Sequence, residues 1–129
     1  MLSDYPVFPV LLSTDMEASR TFYGTTLGLE LASEFRIGDV VDRLVYKCGK
    51  GTQVAISHST IGTSDTQTQC VFGTPDLRAA IDDLRARGVT IEEYDEPETD
   101  DGIADMGHSW AAWIVDPSRN VIGIVQPKG

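Results

Sequence analysis

Apolar residues follow two different spacings along this chain, and the same order of spacings occurs twice. In two stretches the apolar residues recur every three or four positions, which is the period of an amphipathic helix. Shorter β-branched and aromatic runs, typical of strands, surround both stretches. The predicted inward-facing helix residues are Met16, Ser19, Phe22, Tyr23 and Leu27 in the first half, and Leu77, Ala80, Ile81 and Leu84 in the second.

Capping residues and glycines set the predicted ends of both helices. Thr14 or Asp15 is expected to cap the first helix, which ends at Gly28. Thr74 or Asp76 is expected to cap the second helix, which ends at Gly88. The match extends along the chain, because Asp15, Met16, Ala18 and Tyr23 correspond at a constant offset to Asp76, Leu77, Ala79 and Leu84.

Each helix is predicted to follow one strand and to precede three. The later strands are expected at about 31–37, 43–48 and 53–57 in the first half, and at about 90–94, 109–115 and 121–126 in the second. The predicted fold is therefore α+β, with two tandem βαβββ modules forming a curved mixed sheet around a cavity and the helices outside. We expect one domain over 1–129, with module 1 at about 5–58, a linker at about 59–68 and module 2 at about 69–127.

Composition and charge limit the partners of such a domain. The 129 residues are 41% hydrophobic, and ten Lys and Arg against twenty Asp and Glu give a formal charge of −10. Such a surface repels nucleic acid and anionic membranes. With no apparent signal peptide or membrane span, a cytoplasmic location is expected, and Cys48 and Cys70 are expected to be reduced, half-buried thiols.

Two motifs resemble those of a known family. "DMEASRTFYGTTLGLEL" (15–31) resembles the first helix of the vicinal oxygen chelate superfamily, and "WIVDPSRNVIGIVQ" (113–126) resembles its terminal hairpin. This superfamily includes glyoxalases, bleomycin-binding proteins and extradiol dioxygenases. The stretch "YDEPETDDGIADMGHSWAAW" (94–113) also resembles a glyoxalase-like bacterial subgroup. The resemblance implies the paired-module fold and a ligand site on the concave face, but the family contains both enzymes and binding proteins.

The resemblance also implies where metal ligands would lie, and this chain departs from the pattern there. Enzymes of the family hold a divalent metal on the first and last strands of each module. The matching positions here are Phe8, Ala55, Gln69 and Gly123. Since only Gln69 carries a donor atom, and a divalent metal needs several, we expect no metal and no other cofactor. Gly123 interrupts an apolar run, which indicates close approach by another group.

Aromatic residues are the alternative lining of the cavity. Trp110 and Trp113 are three apart on a predicted strand, so they point to opposite faces, and one of them is expected to face the cavity. Phe8 and Tyr46 are expected to extend that aromatic wall, with Gln69 giving a directional hydrogen bond. His58 and His108 are expected near strand ends, and no residue is assigned a catalytic role.

Three functions stay open at this point. The first is a metal-independent protein that sequesters a small, partly aromatic ligand; its predicted site comprises Phe8, Tyr46, Ala55, Gln69, Trp110, Trp113 and Gly123. The second is a glyoxalase-like lyase or isomerase, or a dioxygenase-related enzyme, with non-standard ligands. The third is a structural or regulatory dimer with a filled cavity. The resemblance implies a homodimer, and the acidic loop at 95–107 is predicted to act as a lid.

Overall fold

The computed structural model describes residues 1–64 and 66–129. The chain divides into two compact units, Met1–Gly62 and Thr63–Gly129. Unit 1 contains β1 (Val10–Ser13), α1 (Met16–Arg20), β2 (Glu30–Ile37), β3 (Val40–Lys47) and β4 (Gln53–His58). Unit 2 contains β5 (Thr68–Gly73), α2 (Leu77–Ala86), β6 (Ala104–Asp105), β7 (Ser109–Val115) and β8 (Val121–Pro127). Asp65, within the predicted linker, lies outside the described residues.

Both units have the same strand order, which confirms the predicted α+β fold built from two βαβββ modules. The sheet of unit 1 runs β1-β4-β3-β2 and that of unit 2 runs β5-β8-β7-β6. In each sheet the first strand is parallel to the last, and the remaining pairs are antiparallel. A parallel pair needs a crossover connection, which the helix and its following strands supply.

The two helices begin with the same capping interaction, as expected for a repeat. Asp15 and Asp76 have nearly identical extended backbones, and each accepts a hydrogen bond at 3.1 Å from the backbone N–H three residues later. Of the two predicted caps in each module, the aspartate is therefore the one that caps. After α1 the chain continues as a π-helical stretch, Thr21–Thr26.

Each helix covers one face of its own sheet. In unit 1 the ring of Tyr23 stacks on Tyr46 at 6.0 Å between centroids, above fully buried Leu11, Leu44 and Ile56. In unit 2, Leu77 and Ile81 of α2 are buried, as are Ile114 of β7 and Ile122 of β8. The opposite face of each sheet is the one on which the cavity is predicted.

The predicted strand at 90–94 does not form. This segment makes one backbone bond to the sheet, from the Glu92 N–H to the Trp113 carbonyl at 2.9 Å. The Tyr94 N–H donates instead to Oγ1 of Thr99 at 2.8 Å, so the segment leaves the edge of β7. The two-residue strand β6 pairs with β7 in its place. The prediction followed the alternating pattern and missed this local competition from a threonine side chain.

Two further features concern the length of the helices and the burial of the cysteines. In residues 1–64 and 66–129, no helix combines the length and apolar character needed to cross a membrane. Cys48 and Cys70 are both half-buried, as expected, and burial raises the pKa of the Cys48 thiol.

Candidate functional site

Strand β7 presents the two tryptophans of the chain to opposite faces of the unit 2 sheet. Trp110 is the register partner of Gln126, whose side-chain oxygen accepts a bond from the Leu77 N–H of α2 at 2.8 Å. Trp110 therefore lies on the α2 face. Trp113 pairs with Gly123 and lies on the uncovered face. The sequence spacing left open which tryptophan faces the predicted cavity, and strand alternation assigns that place to Trp113.

A small pocket surrounds Trp113. Its volume is about 180 Å³, and its walls come from the ends of β5, β7 and β8 and from the loop after residue 93; they include Thr68, Tyr94, Glu96, Pro97 and Val121. The Tyr94 ring meets the half-buried indole edge-on, with 5.6 Å between centroids and 80° between planes. The indole N–H donates to Oγ1 of Thr68 at 3.2 Å, which fixes the rotation of the Trp113 ring. Burial raises the pKa of Tyr94, so its phenol keeps its proton at neutral pH.

Gly123 forms part of the same face, and its own neighbours account for the glycine. A Cβ atom there would lie 3.3 Å from Cγ2 of Val71, 3.4 Å from Cγ2 of Thr68 and 3.6 Å from Nε1 of Trp113. The Trp113 indole and two side chains of strand β5 therefore approach the position at which the resemblance implies a metal ligand. This answers which groups approach the glycine in the apolar run.

Gln69 takes a structural place beside this pocket. Its side-chain oxygen accepts a hydrogen bond from the Val121 N–H at 3.2 Å, at the irregularity where β5 skips one position against β8. The amide thus replaces a missing ladder bond of the parallel pair. The side-chain oxygen of Gln69 was expected to face a ligand or a metal. In the structure it accepts a hydrogen bond within the sheet.

Two of the site residues predicted in unit 1, Ala55 and Tyr46, lie on opposite faces of its sheet. Ala55 is fully buried and pairs with Val10, two residues after the part-exposed Phe8. Tyr46 is adjacent to Val45, the register partner of Ala55, so it points to the opposite face, where it packs against Tyr23. The structure therefore gives Tyr46 a place in the core under α1, away from the face that carries Ala55.

The donor set does not fit a divalent metal. At the positions where the resemblance implies metal ligands, Phe8, Ala55 and Gly123 offer no donor atom, and the Gln69 oxygen is bonded to the backbone. Across residues 1–64 and 66–129, no three His, Cys, Asp or Glu side chains are grouped so as to hold a metal ion. His58 and His108 are both exposed, at the end of β4 and just before β7.

The acidic loop predicted as a lid is attached to α2. Asp101 pairs with Arg78 at 2.8 Å and with Arg85 at 3.1 Å, and the hydrogen bond from Arg78 is the main reason that the pKa of Asp101 is lowered. One part of the loop, at Glu96 and Pro97, walls the Trp113 pocket. Tyr94 and Thr68 also line this pocket, although the residue pattern predicts a strand at Tyr94 and a linker at Thr68 and so gives no sign of a site there.

Comparisons with known proteins agree with this architecture. The family model for the Glyoxalase/Bleomycin resistance protein/Dioxygenase superfamily matches residues 7–124. No curated protein matches the chain. The solved structures that resemble it include TnmS3, an antibiotic-binding protein from Streptomyces sp. CB03234, at 21% identity and a TM-score of 0.72 over 96% of both chains.

Two other solved structures show the same fold. A member of the superfamily from Sphaerobacter thermophilus has 23% identity and a TM-score of 0.72, covering 95% of this chain and 96% of that one. A glyoxalase family protein from Enterococcus faecalis has 16% identity and a TM-score of 0.72, covering 97% and 99%. The family match spans nearly the whole chain, and the strand order and the repeat agree with it. This chain belongs to the Glyoxalase/Bleomycin resistance protein/Dioxygenase superfamily.

Proposed function

We propose that this protein binds a small, partly aromatic molecule without a metal, and that a planar group of the ligand enters the Trp113 pocket. The observation that carries the proposal is the indole of Trp113 beside Gly123, on the face of the sheet away from α2. The family resemblance implies a metal ligand at the position of Gly123, so this chain would have an aromatic surface where a donor atom is expected. The antibiotic-binding relative TnmS3 supports a binding role for this fold, since its name describes binding and not catalysis.

The size of the pocket supports a ring-sized planar group. An engineered apolar cavity of about 150 Å³ is large enough to bind benzene, and the Trp113 pocket has about 180 Å³. Tyr94 and Trp113 meet edge-to-face, which leaves part of the indole face for stacking. Binding would then derive from desolvation of the ring and from stacking.

The electrostatics favour neutral or cationic ligands. Glu96 is an exposed carboxylate at the pocket wall, and the chain carries a formal charge of −10. An aromatic face attracts cations, and a nearby carboxylate adds to that attraction. An anionic aromatic ligand would meet repulsion from both. We therefore place neutral and cationic planar compounds ahead of anionic ones.

Isothermal titration calorimetry of two variants tests the proposal. The probes are 2-naphthol, which is neutral, and 1-methylquinolinium, which is cationic and of similar size. Trp113→Ala is expected to weaken binding of either probe by at least about tenfold, because stacking and buried ring area are both lost. Trp110→Ala, on the other face of the same strand, is the matched control and is expected to bind the neutral probe 2-naphthol like the wild type. Equal loss of 2-naphthol binding in both variants, or no binding to the wild type, would refute the proposal.

A measurement of bound metal tests the alternative that the protein is a metalloenzyme. Elemental mass spectrometry after dialysis against Zn²⁺, Ni²⁺, Mn²⁺ and Fe²⁺ reports retained metal directly. The donor set described above predicts retention far below one ion per chain. Near-stoichiometric retention would instead require ligands outside the family's usual positions, and the metal-independent proposal would fall.

We also propose that the protein is a homodimer, as the family resemblance implies. Large apolar side chains on the β2–β3 hairpin support this proposal, because Phe35 is 53%, Ile37 69% and Val40 56% exposed in the single chain. Light scattering on an eluting column peak is expected to give twice the chain mass of 14.0 kDa. A peak at the single-chain mass at micromolar concentration would contradict the dimer.

A further inference from the structure

A second, larger cavity of unit 2 lies on the α2 face of the sheet, opposite the Trp113 pocket. Its volume is about 590 Å³. Trp110, which is 37% exposed, contributes its indole, and the start of α2 and the acidic loop supply the other walls. Four carboxylates and one arginine line it: Asp76, Glu98, Asp100, Asp105 and Arg78.

An ammonium group of the chain already lies against the indole. Nζ of Lys128 is 4.0 Å from the centroid of the Trp110 ring and 2.6 Å from Oδ1 of Asp105. The hydrogen bond from Lys128 is the main reason that the pKa of Asp105 is lowered. A cation over an aromatic face, paired with a carboxylate, is how proteins recognise alkylammonium ligands. Trp110 and Asp105 thus form a complete ammonium-binding pair, at present filled by a lysine.

The other carboxylates of the cavity can still pair with a cationic ligand. Glu98 and Asp100 are exposed, and within residues 1–64 and 66–129 their side chains form no hydrogen bond or ion pair. Arg78 is engaged with Asp101, and Asp76 accepts the capping bond of α2. With four carboxylates against the two cations Arg78 and Lys128, the cavity is left with net negative charge.

We propose that this cavity binds an aliphatic diamine. One ammonium displaces Nζ of Lys128 from Trp110 and Asp105, and the second pairs with Glu98 or Asp100. Lys128 then acts as an internal competitor that limits the affinity. A metal ion fits these residues less well, since no three carboxylates or histidines among the described residues converge on one point. The inference does not depend on the proposed function, because the two cavities lie on opposite faces of the sheet.

Fluorescence of a single-tryptophan variant tests the diamine site. With Trp113→Phe, Trp110 is the remaining tryptophan. Titration with 1,4-diaminobutane is expected to change its emission in a saturable way. Butane-1,4-diol, which has the same length without the charges, is expected to produce no saturable change at equal concentration. No response to the diamine, or an equal response to the diol, would overturn the proposal.

Two charge variants in the same background separate competition from general electrostatics. Lys128→Gln is expected to tighten diamine binding about two- to fivefold, the range for an exposed cation–aromatic contact. Lys50→Gln, which removes the same charge from a turn of unit 1, is expected to leave the affinity unchanged. Asp105→Asn is expected to weaken binding. If Lys128→Gln does not tighten binding beyond Lys50→Gln, Lys128 is not a competitor and the proposed site is wrong.

Discussion

At the residue scale, Gly123 matters both for the pairing of β8 and for the proposed binding pocket. Its backbone continues β8 in register with Trp113 and Val71, while its missing side chain leaves room for the indole of Trp113. The family resemblance implies a metal ligand at this position, and in this chain the indole of Trp113 lies beside it.

Small and large substitutions at Gly123 are expected to differ. Gly123→Ala should keep the free energy of unfolding within about 1 kcal/mol of wild type, because the lower entropy of the unfolded chain offsets a contact at 3.3 Å with exposed Val71. Gly123→Glu should cost about 1–3 kcal/mol, since its side chain must push Trp113 aside. Urea unfolding measures both. A glutamate variant as stable as the alanine variant would contradict this packing.

The N-terminal cap of α1 provides a second test at the residue scale. Asp15→Ala is expected to lower the free energy of unfolding by about 1 kcal/mol, because the Ala18 N–H loses its acceptor. Asp15→Asn keeps an acceptor oxygen while removing the charge, and is expected to stay near wild type. Chemical denaturation distinguishes these results, and equal losses in both variants would point to the charge instead of the cap.

At the scale of elements, the acidic loop is the part that shapes both cavities of unit 2. It contributes Glu96 and Pro97 to one cavity, and Glu98, Asp100 and Asp105 to the other. Ion pairs of Asp101 join it to α2, and it packs closely at Gly102, where any side chain would collide with Ile91. The loop is thus a shared wall of the two cavities, and ion pairs attach it to the helix.

The attachment of this loop should depend on pH in a known direction. The pKa of Asp101 is lowered in the folded protein, so its contribution is present above the unfolded value of about 3.9 and is lost as pH falls through the folded value. Asp101→Asn is expected to lower the melting temperature at neutral pH. The difference from wild type should shrink as pH falls below about 3.9. A constant difference across the acid range would contradict this assignment.

How far the sequence predicted each element depended on whether local or distant contacts decide it. The two helices and five of the six strands predicted after them follow from periodicity and turn chemistry, which are local. The segment at 90–94 failed because Thr99, five residues beyond Tyr94, takes the Tyr94 N–H. For the site, alternation separated Trp110 from Trp113, but the core place of Tyr46 depends on its stacking with Tyr23, which single-sequence patterns do not show.

For the whole molecule, the two modules share one fold but carry different residues at matching places. In unit 1 the positions where the resemblance implies metal ligands are the apolar residues Phe8 and Ala55, and unit 2 contains the aromatic pocket. The chain has a formal charge of −10, which favours neutral or cationic ligands. We propose that Trp113, and no metal, binds the ligand.

Nuclear magnetic resonance of the Trp113 indole tests whether this side chain binds the ligand. In a Trp110→Phe variant, a single indole N–H signal remains, and its proton is bonded to Thr68. Adding 2-naphthol in the presence of a chelator is expected to shift this signal progressively to saturation, because an aromatic ring placed on the indole changes its magnetic environment. An unshifted signal at saturating probe, or a shift that the chelator abolishes, would contradict the account.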